Sequence, residues 1–260
     1  MMNPPDQSPE QLPEPLPELP EPLPGHWLER RNFLKLGAGA IGLGMTHTLL
    51  RTLPAEAVPL ANAAPNADPL SNPDAALQEL IAGNQRFTEH RLRHPHQSQR
   101  RLEEVSQAQH PFATILSCAD SRVAAEIVFD QGIGDLFDVR VAGNIATPEI
   151  TGSIEYAVAL LGTPILMVLG HERCGAVTAV VKQEALPGEI GSFAKAIVPA
   201  YDRVKDQPGD TVNNVVVANV HYQIEQLKRS SLLTERLESG KLKIVGGRYD
   251  LDSGQVTLIT

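Results

Sequence analysis

Three short apolar runs, separated by stretches of helical character, constrain the fold of this chain more than any other feature. The runs are FATIL (112–116), LFDVRVA (136–142) and PILMVLG (164–170). Short, nearly continuous apolar runs are typical of strands buried on both faces of a parallel sheet. Because parallel strands are joined by crossover connections that are usually helical, the sequence predicts an α/β fold with a mostly parallel central β-sheet and helices on both faces.

The stretches around these runs predict the helices. Asn72 is suited to cap a first helix that has Pro73 at its first position and ends near His90. The apolar face of this helix consists of Leu77, Leu80, Ile81 and Phe87. Further helices are predicted at 148–161, from about Cys174, and as one long amphipathic helix over 210–237.

The C-terminal residues predict a hairpin. Two apolar runs, LKIVGGRYDL (242–251) and QVTLI (255–259), are separated only by Asp252, Ser253 and Gly254. A connection this short joins antiparallel neighbours. We therefore expect an antiparallel strand at the edge of the sheet.

The segment HRLRHPHQSQRR (90–101) contains three histidines, His90, His94 and His96. Arginines and a proline are interleaved with them, and a guanidinium group repels a cation. We therefore interpret the segment as an exposed loop, or as part of an N-terminal helical arm, and not as a metal site.

The first 71 residues are interpreted as lying outside the main domain. Residues 1–29 form a Pro/Glu-rich leader with nine prolines in its first 25 positions, a composition that favours an extended, solvated tail and leaves open a docking site for a proline-binding module. Residues 30–63 resemble a twin-arginine export signal, in which Arg30-Arg31-Asn32-Phe33-Leu34-Lys35 precedes a Gly/Ala/Leu-rich stretch and cleavage follows Ala57 or Ala63. Residues 64–71 are a linker to a domain over 72–260.

This layout predicts export to the periplasm or an equivalent extracytoplasmic compartment. Two alternatives stay open: a retained signal that tethers the chain to the membrane, and a buried helical hairpin of a cytosolic protein. The formal net charge is −9, and the basic residues are scattered. Nucleic acid is therefore excluded as a partner, and membrane contact is expected only through the signal segment.

Chemically active side chains follow two of the predicted strands. Cys118, Asp120 and Arg122 come directly after FATIL, and His171 and Cys174 follow PILMVLG. Ligand sites in open α/β sheets form outside the carboxyl ends of the strands. If these two strands are neighbours, their loops bring together two thiolates and an imidazole, a set that suits Zn²⁺ better than Mg²⁺ or Ca²⁺.

Two questions about these residues stay open at this point. An exported pair of cysteines normally favours a disulfide, although the nearby Asp120 and His171 favour a metal. Three protein ligands leave a fourth position for water, as in catalytic zinc sites. Asp120 either closes that position or is held bidentately by Arg122; the simplest alternative is that the two residues only cap the loop.

The same residues carry a family resemblance. Cys118-x-Asp120-Ser121-Arg122, followed by Gly170-His171-x-x-Cys174-Gly175, resembles the β-class carbonic anhydrases. The similarity extends over most of the predicted domain, through GNQRF (83–87), VRVAGN (139–144), GSIEYA (152–157) and GRYD (247–250). Ala119 and Val141 depart from a Ser and an Asn that are common in the family.

The resemblance implies an enzyme that interconverts CO2 and bicarbonate by attack of zinc-bound hydroxide. It implies one Zn²⁺ per chain, with Cys118, His171 and Cys174 as ligands and Asp120 as a further ligand in a closed form. Asp120 and Arg122 would be the catalytic pair, and Gly143 would line the substrate pocket. A homodimer or higher even oligomer is also implied, with residues 72–101 contributing to the contact.

Two other functions are compatible with the same residues. One is the hydrolysis of CS2 or COS at the same site. The other is a non-catalytic zinc- or bicarbonate-binding protein permanently closed by Asp120. The presence of Arg122 argues against the second, because a purely structural Asp ligand needs no competing guanidinium group.

Overall fold

A computed structural model describes residues 69–259 of the 260-residue chain. The predicted leader and export signal, residues 1–63, lie outside the described residues. Within the described part, no helix is long and apolar enough to cross a membrane.

A five-stranded sheet forms the centre of the described domain, in the order β2-β1-β3-β4-β5. The first four of these are parallel to their neighbours, and β5 pairs antiparallel with β4 at one edge. This confirms the mostly parallel sheet and the terminal hairpin. The strands are β1 Ala113–Ser117, β2 Leu136–Arg140, β3 Ile165–His171, β4 Lys243–Tyr249 and β5 Val256–Ile259.

Eight α-helices connect and cover these strands within the described residues. They are α1 Pro73–Thr88, α2 Gln99–Val105, α3 Ala125–Val128, α4 Pro148–Tyr156, α5 Gly175–Val181, α6 Gly191–Val204, α7 Thr211–Leu227 and α8 Ser231–Glu238. Short 3₁₀ turns occupy Pro69–Ser71, Ala142–Asn144 and Gly188–Ile190, and α4 continues into a π-helical turn, Ala157–Leu161.

Helix α1 begins as the sequence predicts. The Asn72 side chain accepts hydrogen bonds from the backbone N–H groups of Asp74 and Ala75, at 2.8 and 3.2 Å. Leu80 is fully buried against the sheet, so α1 belongs to the core of its own chain. Helix α2 buries none of its residues and is the exposed part of the N-terminal arm.

Two sequence expectations differ from the structure. The predicted helix over 210–237 is two helices, because Ser230 caps α8 by accepting a hydrogen bond from the Leu233 N–H at 3.2 Å. The sequence pattern predicts no helix for the segment that forms α6, since Pro199 lies inside it. A proline in a helix removes one backbone hydrogen bond and obscures the helical pattern.

Helices cover both faces of the sheet, as predicted. On one face, Ile115 and Met167 pack with α1 and α3. On the other face, Leu116 and Val168 pack with α4, α7 and α8. The alternation of side chains along each strand accounts for the two separate cores.

Helix α7 lies unusually close to the sheet. A Cβ atom on Gly170 would lie 2.7 Å from Val220 Cγ2, and one on Gly246 would lie 2.8 Å from Val220 Cγ1. The two glycines therefore form a groove for Val220. Val216 Cγ1, one turn earlier in α7, would lie 3.1 Å from the same Cβ of Gly170, so the N-terminal half of α7 lies beside the carboxyl end of β3.

Asn84, in the GNQRF segment of α1, joins three parts of the fold. Its Nδ2 donates to the backbone oxygens of Val128 and Gly254, at 3.1 and 2.9 Å, and its Oδ1 accepts from the Val256 N–H at 2.8 Å. The side chain is 5% exposed. It thus holds α1, α3 and the β4–β5 turn together.

We predict that Asn84→Leu destabilises the domain by about 3 kcal/mol, because it leaves three buried backbone groups without partners. Denaturant unfolding measures the loss. Gln85→Ala is the matched control on the same helix, since the Gln85 side chain donates to the Glu89 carboxylate at an exposed position, and its effect should stay below about 0.5 kcal/mol. Equal stability of the two variants would contradict the role of Asn84.

Candidate metal centre

The two loops predicted to meet do so, because β1 and β3 are parallel neighbours with Ser117 paired to Leu169. Cys118 directly follows β1, His171 is the last residue of β3, and Cys174 is the N-cap of α5. The carboxyl ends of the two strands therefore deliver all three side chains to one point.

One ligand atom from each of Cys118, His171 and Cys174 lies within 4.8 Å of the other two. The residues are 5%, 0% and 1% exposed, respectively. The two sulfurs are 4.0 Å apart and both thiols are free, so they form no disulfide. Zn–S bonds of about 2.3 Å in a tetrahedral site separate two sulfurs by about 3.8 Å, which fits this spacing.

The hydrogen bonding of His171 fixes which ring nitrogen faces the cluster. Nδ1 lies 2.8 Å from the Glu172 carbonyl oxygen, and since a carbonyl only accepts, Nδ1 carries the proton. Nε2 then has a free lone pair, and it is buried without a hydrogen-bond partner among the described residues. A buried imidazole lone pair beside two thiols fits a soft cation such as Zn²⁺.

The two thiols share a hydrogen bond, which moves their pKa values in opposite directions. The hydrogen bond with Cys174, aided by the Gly143 N–H, lowers the pKa of Cys118 to about 4, although burial opposes this. The same hydrogen bond, together with burial and the charge of Cys118, raises the pKa of Cys174. Cys118 is therefore the more acidic thiol of the pair, and binding of a divalent cation displaces the thiol protons that remain.

Asp120 is held by Arg122. Arg122 Nε donates to Oδ1 at 2.9 Å and Nη2 donates to Oδ2 at 2.7 Å. These hydrogen bonds keep the pKa of the Asp120 carboxyl well below its usual range. Asp120 Oδ2 is also 3.9 Å from His171 Nε2, so the carboxylate stands at the margin of the cluster while bound to the guanidinium.

Gly143 lies against the cluster, with its N–H 3.4 Å from Cys118 Sγ. Its φ of +74° favours glycine. A Cβ here would also lie 2.6 Å from Ile197 Cδ1. Both the backbone conformation and the close packing of α6 therefore require glycine at this position.

Sequence reasoning missed the role of Arg140. Its Nη2 donates to the Asp120 carbonyl oxygen at 2.7 Å, and its Nε donates to the Cys118 carbonyl oxygen at 3.3 Å. Arg140 thus anchors the backbone of the Cys118–Asp120 loop. The sequence feature that could have indicated this role is the position of Arg140 near the end of a predicted strand. That strand lies beside the strand that Cys118 follows.

A second group of acidic side chains, Glu172, Asp250 and Asp252, also lies within 4.8 Å. Arg248 binds Glu172, and Arg173 binds Asp252 through two hydrogen bonds of 2.9 and 2.7 Å. The arginines compensate Glu172 and Asp252, and Asp250 accepts hydrogen bonds from the backbone N–H groups of Asp252 and Ser253, at 3.0 and 2.9 Å. The GRYD segment therefore contributes an ion-pair network and not a metal site.

The described domain has an α/β fold in which the ends of two adjacent parallel strands present two cysteines and a histidine. This arrangement is typical of the metalloenzymes that bind zinc. The sequence model of the family "Carbonic anhydrase" matches residues 113–256. The chain belongs to the carbonic anhydrases, and its fold places it in their β class.

Individual relatives agree with this assignment. The chain is 42% identical over 195 residues to carbonic anhydrase 2 of Mycobacterium tuberculosis, which covers 73% of this chain and 94% of that protein. It is 40% identical to a carbonic anhydrase of Mycolicibacterium smegmatis, with 73% and 95% covered. Among solved structures, the beta-carbonic anhydrase CcaA is similar with a TM-score of 0.58 and 30% identity, over 71% of this chain and 95% of that chain.

Proposed function

We propose that this chain catalyses the reversible hydration of CO2 to bicarbonate and a proton, with one zinc ion per chain held by Cys118, His171 and Cys174. The observation that carries the zinc assignment is the buried cluster in which two free thiols meet an unpartnered imidazole nitrogen. Membership of the carbonic anhydrases supplies the reaction.

Zinc bound to these residues would lower the pKa of a coordinated water from about 15.7 to about 7 and so supply hydroxide at neutral pH. Asp120 is ionised and its Oδ2 lies close to His171 Nε2. At that place the carboxylate would accept a hydrogen bond from a hydroxide nucleophile and would orient a lone pair of the hydroxide oxygen toward the substrate carbon. Arg122 fixes the carboxylate in this role, and Gly143, whose N–H lies on Cys118 Sγ, would line the substrate pocket.

Stopped-flow hydration of CO2 from pH 6 to 9, on protein of measured metal content, tests this function. We expect about one zinc per chain and a shallow activation near pH 7, because Arg122 holds Asp120. Metal-loaded protein that is inert to CO2 over this range would overturn the proposal. Turnover of COS or CS2 without CO2 hydration would favour the alternative hydrolase.

We also propose that the chain forms a homodimer or a higher even oligomer. Among the described residues β2 pairs only with β1, so its outer edge is open. Tyr156, whose ring centroid lies 6.2 Å from that of Phe137 of β2, is 45% exposed, and Leu160, one turn further along the same helical segment, is 73% exposed. An open strand edge flanked by apolar side chains suits a second copy, and sedimentation analysis of the Leu160→Glu variant tests it.

Export by a twin-arginine-type signal is a further proposal. It rests on Arg30, Arg31 and the apolar stretch that follows them, all outside the described residues. A thiolate site that is loaded with metal before export would avoid disulfide formation. Cell fractionation with an Arg30→Lys, Arg31→Lys double variant tests this proposal, since retention in the cytoplasm is expected only if the arginine pair directs export.

A further inference from the structure

Helix α7 carries two buried amides on the side that faces the metal centre. Asn219 and Gln223 are each 1% exposed and lie one helical turn apart. Their neighbours on the helix, Val216 and Val220, are apolar and buried. Burying an amide is unfavourable unless its hydrogen bonds are satisfied, so the partners of these two side chains indicate what they do.

The hydrogen bonds of the two amides have a fixed direction. The Ala146 N–H can only donate, and it donates to Gln223 Oε1 at 2.9 Å. Gln223 Nε2 therefore donates to the Ala196 carbonyl oxygen at 3.1 Å and to Asn219 Oδ1 at 2.9 Å. Asn219 Nδ2 in turn donates to the Gly143 carbonyl oxygen at 2.9 Å.

These bonds hold the loop over 143–146 at both ends, at the Gly143 carbonyl and at the Ala146 N–H. Gly143 is the flexible point of this loop, because glycine has the widest choice of backbone angles. Its own N–H lies on Cys118 Sγ. With the carbonyl of Gly143 bound to Asn219, rotation about its backbone is restricted and the N–H stays on the sulfur.

We propose that Asn219 and Gln223 are positioning residues that keep the Gly143 N–H on the Cys118 sulfur and so set how strongly this sulfur donates to the bound metal. The inference rests on the proposed zinc site. A hydrogen bond to a ligating thiolate withdraws charge from the sulfur, and such bonds around a site tune both metal affinity and ligand strength.

The experiment uses the full chain loaded with Co²⁺, whose sulfur-to-cobalt charge-transfer band reports the electron density on the thiolates. In the Asn219→Leu variant we expect this band to move to lower energy, since a sulfur without its N–H donor is easier to oxidise. Chelator competition should show a dissociation constant raised about 10-fold to 100-fold, because the loop over 143–146 no longer holds the site in place for the metal, and this loss outweighs the stronger donation by the sulfur. Gln223→Leu should change the band energy and the dissociation constant in the same directions as Asn219→Leu, but by smaller amounts. It serves as a second variant if Asn219→Leu does not fold.

Two controls separate positioning from simple destabilisation. Gln226→Leu makes the same change on the same helix, but the Gln226 Nε2 has no hydrogen-bond partner in the described part of the chain, so the band should not move. Leu233→Ala removes a fully buried side chain of α8 and lowers stability without touching Gly143. An unshifted band in Asn219→Leu and Gln223→Leu would overturn the proposal. Absence of any thiolate band in the unaltered protein would overturn the zinc site itself.

Discussion

Replacement of Cys118 by serine will abolish CO2 hydration and remove the metal. The hydrogen bonds from Cys174 and the Gly143 N–H lower the pKa of the Cys118 thiol and favour its thiolate, whereas a serine hydroxyl stays protonated and binds zinc poorly. Without zinc, the pKa of water returns from about 7 to about 15.7. We expect the rate to fall by about three orders of magnitude or more, with the zinc content near zero.

Stopped-flow kinetics and elemental analysis on the same sample measure both effects. Ala119→Ser is the control, because Ala119 is exposed and next to the ligand but supplies no ligand atom, and its rate should stay within about twofold of the unaltered enzyme. A Cys118→Ser protein that keeps a full complement of zinc and its activity would contradict the ligand assignment.

The cluster of Cys118, His171 and Cys174 could be predicted from sequence because two independent rules converge on it. Short apolar runs identified the strands, and the carboxyl ends of parallel strands share one edge of the sheet. Only the adjacency of β1 and β3 had to be assumed, and the pairing of Ser117 with Leu169 now shows it. Whether Asp120 closes the cluster or binds Arg122 could not be predicted in this way, since Cys118 and Arg122 are each two residues from Asp120 in the sequence.

The residues that support the site were beyond sequence reasoning for a physical reason. Asn219 binds a backbone oxygen 76 residues away, and Gln223 binds a backbone N–H 77 residues away. A backbone partner leaves no side-chain signature in the sequence. The helix over 210–237 also looked continuous, because the apolar pattern of α7 runs on into α8 and conceals the Ser230 cap between them.

Two variants of the Asp120–Arg122 pair will lose activity for different reasons. Asp120→Ala removes the hydrogen-bond acceptor beside the metal, and we expect CO2 hydration to fall by about 10²-fold to 10⁴-fold at all pH values. Arg122→Ala leaves the carboxylate but frees it. Since Asp120 Oδ2 is already 3.9 Å from His171 Nε2, the freed carboxylate would reach a zinc ion held there and would exclude the substrate water.

The two losses differ in their pH dependence. Arg122 depresses the pKa of the Asp120 carboxyl; without it that pKa rises toward its usual value of about 3.9, so the carboxylate stays ionised throughout the assay range. It competes with hydroxide for zinc, and hydroxide becomes scarcer as the pH falls. Arg122→Ala should therefore lose activity steeply below about pH 8 and recover above it, unlike Asp120→Ala.

Arg122→Lys and the double variant sharpen this test. Lysine keeps the charge but cannot make the bidentate hydrogen bonds by which Arg122 holds both carboxylate oxygens. The pH profile of Arg122→Lys should therefore lie between those of the unaltered enzyme and Arg122→Ala. Because Arg122 acts through Asp120, the Asp120→Ala, Arg122→Ala double variant should resemble Asp120→Ala alone and lose the steep pH dependence. Additive losses in the double variant would show instead that Arg122 acts on the substrate directly, and the open state of the site would then need another cause.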